Sequence, residues 1–196
     1  MATLRSLCVY CGSKVGSDPR HATTAVELGR LMAQGDIRLV FGGGSVGLMG
    51  ILADSVLANG GQVTGVIPKG LFINEIGHLG LTELIEVGSM HERKARMASE
   101  ADAFVALPGG IGTLEELAEI ATWAQLGIHS KPVGVLDTDG YWQSLFDFLD
   151  GAVEAGFLRP QHREIIVHLT DVDEVIPVLA SRVVPASEPL LGLEES

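Results

Sequence analysis

Short apolar segments alternate with amphipathic segments along most of the chain. The apolar segments are nearly continuous in hydrophobicity, which is typical of strands covered on both faces of a parallel sheet. Glycine-rich turns follow several of them and lead into segments with helical spacing. The predicted strands cover residues 7–10, 37–41, 63–67, 84–87, 103–107, 133–136 and 165–167. This alternation predicts an α/β fold, a doubly wound parallel sheet with helices on both faces.

The segments between the strands supply the predicted helices. One helix is expected to start at Asp18, with Pro19 in its first turn, where proline is tolerated. The others cover residues 47–59, 89–101, 113–126, 139–154 and 171–179. A length of 196 residues suits a single domain, which we place at 1–185. Residues 186–196 carry three glutamates and are expected to form an acidic, disordered tail.

Charge and composition disfavour several kinds of partner. The formal net charge of −12 argues against nucleic acid and anionic membranes, since both bind basic surfaces. No apolar run approaches the length of a membrane span, and residues 1–7 lack the apolar core of an export signal. Two cysteines, Cys8 and Cys11, do not make a disulfide framework, so a reducing, cytoplasmic location is expected.

The same two cysteines form a C-x-x-C spacing at a strand end, with no second pair of cysteines in the chain. Redox motifs of this kind open a helix, and zinc sites need four converging ligands. Buried packing is therefore the favoured interpretation. The six histidines show no ligand spacing, so no metal site is predicted.

The segment 108–116, Pro-Gly-Gly-Ile-Gly-Thr-Leu-Glu-Glu, follows a predicted buried strand and opens a predicted helix. Such a turn points backbone N–H groups and the positive end of a helix dipole at one spot, which suits a phosphate. Glu116 lies within one turn of that spot and indicates chemistry on a phosphorylated substrate. The alternative is a capping box in which Thr113 caps the helix and Glu116 needs no further function.

A second glycine-rich loop, residues 42–47, formally fits the G-x-G-x-x-G pattern of dinucleotide sites. Those sites also need an acidic residue about twenty positions later, and residues 62–67 contain none. Leu48 stands where a phosphate-binding loop of the Walker type has its lysine. A tight turn and a phosphate or ribose contact remain equally open, and NAD binding is disfavoured.

The helix predicted from Ser89 carries a basic cluster. Ser89 and Glu92 form a capping box, and Glu92 can also pair with Arg96. Arg93 and Lys94 have no acidic partner three or four residues away. In a chain of net charge −12, we interpret these two cations as ligands of a bound anion rather than as a solvated face.

Together these segments resemble the LONELY GUY family, phosphoribohydrolases that release cytokinin bases from their riboside 5′-monophosphates. The segment 108–116 matches the family signature PGGxGTxxE, and the resemblance covers nearly the whole chain. Further matching segments are 9–13, 42–50, 65–68, 90–94, 122–129, 131–134 and 139–141. The departures are mild: Trp142 stands where tyrosine is common, and Asp137 where asparagine is common. Either residue could tune the base pocket.

The resemblance implies a Rossmann-like fold, a homodimer, and no metal or redox cofactor. It implies hydrolysis of N6-modified adenosine 5′-monophosphates, and it leaves open whether AMP is a substrate. Arg93 and Glu116 match the catalytic pair, Glu116 beside the anomeric carbon and Arg93 serving either the base or the phosphate. The positions that match substrate contacts are Glu75, Lys94, Gly110, Ile111, Gly112, Thr113, Leu114, Glu115 and Thr122.

Two alternatives from other classes remain. A carrier of a nucleotide cofactor would keep the glycines, but it would not need Arg93 together with Glu116. A pyridoxal-phosphate decarboxylase, a label often given to this family, needs a Schiff-base lysine. The chain has four lysines, Lys14, Lys69, Lys94 and Lys131, and none has a recognisable cofactor context. A dimer is expected to cover the apolar residues of helix 113–126 that face away from the sheet.

Overall fold

A computed structural model describes residues 4–69 and 77–184 and contains one parallel sheet of seven strands. The strands lie in the order β4-β3-β2-β1-β5-β6-β7, and every pairing is parallel. Their bounds are β1 Ser6–Tyr10, β2 Arg38–Phe41, β3 Val63–Pro68, β4 Glu83–Val87, β5 Ala103–Ala106, β6 Val133–Leu136 and β7 Ile166–Leu169. Each lies within two residues of a predicted strand.

All but the last of the described helices lie between strands along the chain, and the last follows the final strand. Their bounds are α1 Pro19–Gln34, α2 Gly47–Ala58, α3 Met90–Glu100, α4 Ile111–Gln125, α5 Gln143–Glu154, α6 Pro160–Arg163 and α7 Val175–Ser181, with a 3-10 turn at Val172–Glu174. Asp18 caps α1 by accepting from the Arg20 amide, and proline follows as predicted. No described helix is long and apolar enough to cross a membrane.

Alternate residues of the strands build two separate cores. Leu7 and Val9 of β1 pack in one core with α1, α2 and α7. Cys8 and Tyr10 point the other way, into a core with α3, α4 and α5. A strand with both faces covered is apolar at nearly every position, and all five residues of β1 are buried. Its serine, Ser6, is satisfied by donating its hydroxyl to Asp102 at 3.1 Å. The structure therefore confirms the doubly wound α/β fold.

The strand order reverses between β1 and β5 at the centre of the sheet. From β1 the chain proceeds outward to β4, and it then crosses back to place β5 on the other side of β1. The loops after β1 and β5 meet at the carboxyl edge, where the Gly12 amide donates to the Pro108 carbonyl at 3.0 Å. Open α/β sheets bind ligands at this kind of reversal.

Three local predictions differ from the structure. Helix α4 begins at Ile111 rather than 113, and α5 begins at Gln143 rather than 139. The later start of α5 follows from a turn at Gly140, whose φ of +82° is not helical. The four-residue helix α6 was not predicted, and the last helix is divided into a 3-10 turn and α7.

Burial of the two cysteines is confirmed. Cys8 and Cys11 are free and buried, and burial raises the pKa of both thiols above the ordinary range. They are therefore packing residues in the neutral thiol form rather than reactive thiolates. The tail predicted at 186–196 lies outside the described residues.

Candidate active site

A buried ion pair joins α3 to α4 beneath the carboxyl edge of the sheet. The Nη1 of Arg93 donates to Oε1 of Glu116 at 2.8 Å, and both side chains are close to nine-tenths buried. The Nε of Arg93 also donates to the Val66 carbonyl of β3, at 3.1 Å. The two residues that match the family's catalytic pair are therefore in direct contact, although 23 positions separate them in the sequence.

Lys94 makes a second connection between the same two helices. Its ammonium group donates to Glu115 and, at 3.1 Å, to Glu119. The hydrogen bond to Glu115 is the largest cause that raises the pKa of Lys94. The acidic partners of Arg93 and Lys94 come from α4, so the lack of an acidic residue three or four positions away in their own helix does not leave these cations unpaired. The interpretation of the two cations as ligands of a bound anion stays a prediction.

The pairing expected between Glu92 and Arg96 is not formed either. Arg96 pairs with Glu100 at 2.7 Å, and Glu92 accepts from the Gly88 amide at 2.7 Å. Ser89 does cap α3 as predicted, since its hydroxyl accepts from the Glu92 amide at 3.1 Å.

The carboxyl group of Glu116 sits in a low-polarity environment. Burial raises its pKa above the ordinary value, while the charge and hydrogen bond of Arg93 pull in the opposite direction. The side chain is also close enough to β1 to help raise the pKa of Tyr10 and Cys11. A buried carboxyl group held by one guanidinium at a sheet edge is the kind of perturbed group found in catalytic sites.

The glycine loop before α4 leaves its backbone accessible. Gly110 is the N-cap, with an extended backbone, and a β-carbon placed on Gly110 or on Gly112 would meet no atom of the described residues within 4 Å. Amides in the first turn of a helix have no intrahelical carbonyl to bind, so those of residues 111–113 are available to an anion. We call residues 108–112 the open loop.

The capping-box interpretation of Thr113 and Glu116 is wrong. The helix starts two residues earlier, and Thr113 is buried with its side chain against Gly109. Any β-carbon at Gly109 would lie 2.1 Å from the Thr113 hydroxyl oxygen. Thr113 therefore fixes the shape of the open loop from below, and Glu116 pairs with Arg93 rather than with the helix start.

The glycine loop after β2 is filled rather than accessible. Gly43 and Gly47 have φ values of +78° and +62°, and a β-carbon at Gly47 would lie 2.2 Å from the backbone carbon of Ser13. Two backbones approach each other there more closely than any side chain allows. We call residues 42–47 the packed loop. Its geometry favours the tight-turn interpretation for Gly43 and Gly47.

An apolar groove of about 810 Å³ lies between α4 and α5. Predicted contacts Gly110, Ile111, Leu114 and Thr122 line it, and α5 contributes Phe148. The Thr122 hydroxyl is used within the helix, where it donates to the Ala118 carbonyl at 2.7 Å. Of the other predicted contacts, Lys94 and Glu115 lie in the ion pair between α3 and α4, and Thr113 is buried beneath the open loop.

Several contacts that shape the site were not predicted from the sequence. Tyr141 donates its hydroxyl to the Gly109 carbonyl and so ties the loop after β6 to the open loop. The Val66 carbonyl and Glu119 were also missed, because their sequence neighbourhoods carry no ligand-like signal. Glu75, a predicted contact, lies outside the described residues. Among the residues at 4–69 and 77–184, no cluster of His, Cys, Asp or Glu could hold a metal ion.

Comparison with known proteins agrees with the sequence resemblance. A family described as "Possible lysine decarboxylase" matches residues 49–179. A cytokinin riboside 5′-monophosphate phosphoribohydrolase of Arabidopsis thaliana is 51% identical over 172 residues, covering 88% of this chain and 79% of the relative. A second Arabidopsis enzyme of the same description is 50% identical over 175 residues, covering 89% of this chain and 81% of the relative.

The fold is also found in more distant solved structures. The molybdenum cofactor binding protein of Rippkaea orientalis superposes with a TM-score of 0.68 over 91% of this chain and 96% of its own. At 22% sequence identity this likeness concerns the fold alone.

Proposed function

The chain belongs to the family of cytokinin riboside 5′-monophosphate phosphoribohydrolases, and we propose that it hydrolyses the N-glycosidic bond of N6-modified adenosine 5′-monophosphates, and of AMP. Water adds to the anomeric carbon, the carbon–nitrogen bond breaks, and the base leaves with a proton. The products are the free base and ribose 5-phosphate. Identity of about half the residues over most of both chains supports this reaction, as does the site itself.

The observation that carries the proposal is the buried contact between Arg93 and Glu116, made beside an accessible helix N-terminus. Cleavage of a glycosidic bond passes through an oxocarbenium-like sugar, which a nearby carboxylate stabilises. Glu116 is our candidate for that carboxylate, and it can also orient the attacking water. A protein that only carried a phosphorylated ligand would gain nothing from a buried acid at this point.

Arg93 has two proposed roles. Its charge and hydrogen bond favour the ionised form of Glu116 against the effect of burial. Because arginine stays protonated, the same guanidinium can stabilise negative charge on the leaving base or on the phosphate without giving up a proton. Both roles require the guanidinium to be fixed, and its contacts to Val66 and Glu116 fix it.

The phosphate is proposed to bind the open loop. Glu116 lies five residues beyond Ile111, the first residue of α4, which is roughly 7.5 Å along a helix axis. A ribose 5-phosphate can bridge that separation, with its phosphate on the first-turn amides and its anomeric carbon toward Glu116. Binding energy from the phosphate would then position the reacting bond.

Two of the four lysines, Lys94 and Lys131, do not fit pyridoxal phosphate, the cofactor that a lysine decarboxylase would need. A Schiff-base lysine needs a free, deprotonated amine. Lys94 is paired with Glu115 and Glu119, which raise its pKa, and Lys131 donates to the Ala98 carbonyl. Neither amine is placed for that chemistry. The alternative, a carrier of a nucleotide cofactor, is supported only by the shared fold of distant structures.

We also propose a homodimer that buries the groove between α4 and α5. The side of α4 that faces the sheet is covered, but Ile111 remains 87% exposed and Phe148 69% exposed along the groove. Exposed apolar surface of this extent at a pocket is typical of an interface. Helix α5 borders the groove without filling it. Sedimentation at low micromolar protein tests the assembly: a monomer with full activity would exclude a required dimer.

We also propose a cytoplasmic location, which agrees with the two free buried thiols.

The function is tested by incubating the protein with isopentenyl-AMP, AMP and adenosine. Free base and ribose 5-phosphate should form from the two nucleotides, and adenosine should react far more slowly. Equal rates on AMP and adenosine would contradict the proposed role of the phosphate in positioning the substrate. Glu116→Gln keeps size and loses charge, so turnover should fall by about 100-fold or more. Normal turnover in a folded Glu116→Gln variant would contradict the role of the carboxylate.

A further inference from the structure

The guanidinium of Arg93 lies directly over the α-carbon of Gly42, the first residue of the packed loop. A β-carbon at Gly42 would stand 1.8 Å from Nη2 of Arg93 and 3.0 Å from its Cζ. Real β-carbons essentially never approach another heavy atom closer than 3.0 Å. No residue other than glycine fits at position 42 while Arg93 stays where it is.

The other two guanidinium nitrogens of Arg93 are held by different elements. Nε donates to the Val66 carbonyl of β3, and Nη1 donates to Glu116 of α4. Together with Gly42, these contacts enclose the group from β3, α4 and the loop after β2. Its side chain is only 12% exposed, so it has little room to move if one of these surfaces changes.

The other glycines of the triplet are present for different reasons. Gly43 has a φ of +78°, which strains any other residue. Among the described residues, a β-carbon at Gly44 would meet only the flexible end of Met49, at 2.9 Å. The φ of Gly42 lies outside the left-handed region, so its requirement for glycine is one of space beside Arg93 and not of backbone conformation.

We propose that Gly42 is a positioning residue of this site. Because it has no side chain, it leaves the space in which the guanidinium of Arg93 lies against Glu116. This inference rests on the proposed function for its effect on turnover, but not for its effect on Arg93. It gives the first glycine of the triplet after β2 a role in the reaction that needs no contact with a nucleotide.

The first test compares Gly42→Ala with its matched control Gly44→Ala, using turnover of isopentenyl-AMP. Gly42→Ala should lose about 100-fold, the effect expected when a reacting group is displaced by about 1 Å. Gly44→Ala should stay within about threefold of the wild type, because the Met49 side chain can move aside. Equal effects of the two substitutions would overturn the proposal.

The second test measures the position of Arg93 without turnover. The Glu116 carboxyl is titrated by carbon-13 NMR in the wild type, Gly42→Ala, Arg93→Ala and the double variant. Gly42→Ala should raise the pKa of Glu116, because a displaced guanidinium no longer favours the ionised form. In the Arg93→Ala background the same substitution should change nothing. An equal shift in both backgrounds would show that Gly42 acts independently of Arg93 and would overturn the proposal.

The outcomes separate this inference from the proposed function. A wild-type protein that hydrolyses no nucleotide would contradict the proposed function, while the NMR cycle would still decide whether Gly42 positions Arg93. If Gly42→Ala fails to fold, the double variant with Arg93→Ala is expected to fold, because the collision partner is gone. A double variant that fails to fold although Arg93→Ala alone folds would contradict the proposal.

Discussion

Two glycine-rich loops leave the carboxyl edge of the sheet, the packed loop after β2 and the open loop after β5, and they use their glycines differently. In the packed loop, absent side chains make room for protein: Gly42 for Arg93, and Gly47 for the backbone of Ser13. In the open loop, a β-carbon at Gly110 or Gly112 would meet nothing within 4 Å in the described part of the chain. There the absent side chains leave backbone amides free for a ligand.

The comparison shows that a glycine-rich turn after a strand is not by itself a phosphate site. Both loops precede a helix, and both resemble nucleotide loops in sequence. The two loops also contribute to one site in different ways. The packed loop leaves space for the guanidinium of Arg93, and the helix that begins at the open loop carries Glu116. Four predictions test this difference between filled and accessible glycines.

The largest effect is expected from Gly47→Ala in the packed loop. Positive φ strain and the collision with Ser13 together should cost about 3 kcal/mol or more of unfolding free energy. The matched control is Gly60→Ala, where φ is +80° but a β-carbon meets nothing within 4 Å. Gly60→Ala therefore reports backbone strain alone and should lower the unfolding free energy by about 1–2 kcal/mol. Urea unfolding measures both, and equal losses would show that close packing is not the reason for Gly47.

Removing one amide of the open loop should weaken nucleotide binding without harming the fold. Ile111→Pro deletes the N–H of the first helical residue, where proline is tolerated, and the lost side chain is 87% exposed. Loss of one charge-assisted hydrogen bond should lower kcat/KM for the nucleotide by about 10- to 100-fold. Ile111→Ala keeps the amide and is the control. If both variants behave alike, the open loop does not hold the phosphate through this amide.

The ion pair between Arg93 and Glu116 should make both turnover and folding stability depend on pH. The pKa of Glu116 is raised by burial, so turnover that needs its carboxylate should fall up to tenfold per unit as pH drops below that pKa. Folding stability should respond in the opposite sense. A raised pKa in the folded state gives stability that is present at low pH and lost as pH rises through it. The difference between wild type and Glu116→Gln in urea unfolding isolates this trend, and a parallel response of activity and stability would contradict it.

The smallest effect is expected from Gly112→Ala in the open loop. Position 112 is helical and spacious, so alanine should leave stability unchanged or raise it by about 0.5–1 kcal/mol through reduced freedom of the unfolded chain. Thermal unfolding without ligand is the measurement. A clear loss of stability would mean that this glycine, like those of the packed loop, is required by its neighbours.

Local patterns were enough to predict the architecture. Every strand has a corresponding apolar run, the family signature indicated Glu116 and the open loop, and the matching segment 90–94 indicated Arg93. These features depend on hydrophobic periodicity and on turn chemistry, which act between residues close in the chain. The same reasoning misplaced the start of α4 by two residues, because burial of Thr113 against Gly109 depends on how the loop folds back.

The sequence by itself determined which segments form strands and helices, the parallel class of the sheet, and the residue types available at its carboxyl edge. Only the tertiary structure decided that Arg93 and Lys94 are paired, since their partners Glu116, Glu115 and Glu119 lie 21 to 25 positions away on another helix. Only the tertiary contacts also explain why particular positions need glycine, above all position 42. Local preferences act along the chain, whereas ion pairs and close approaches depend on the packing of elements whose separation in sequence carries no information about their distance in space.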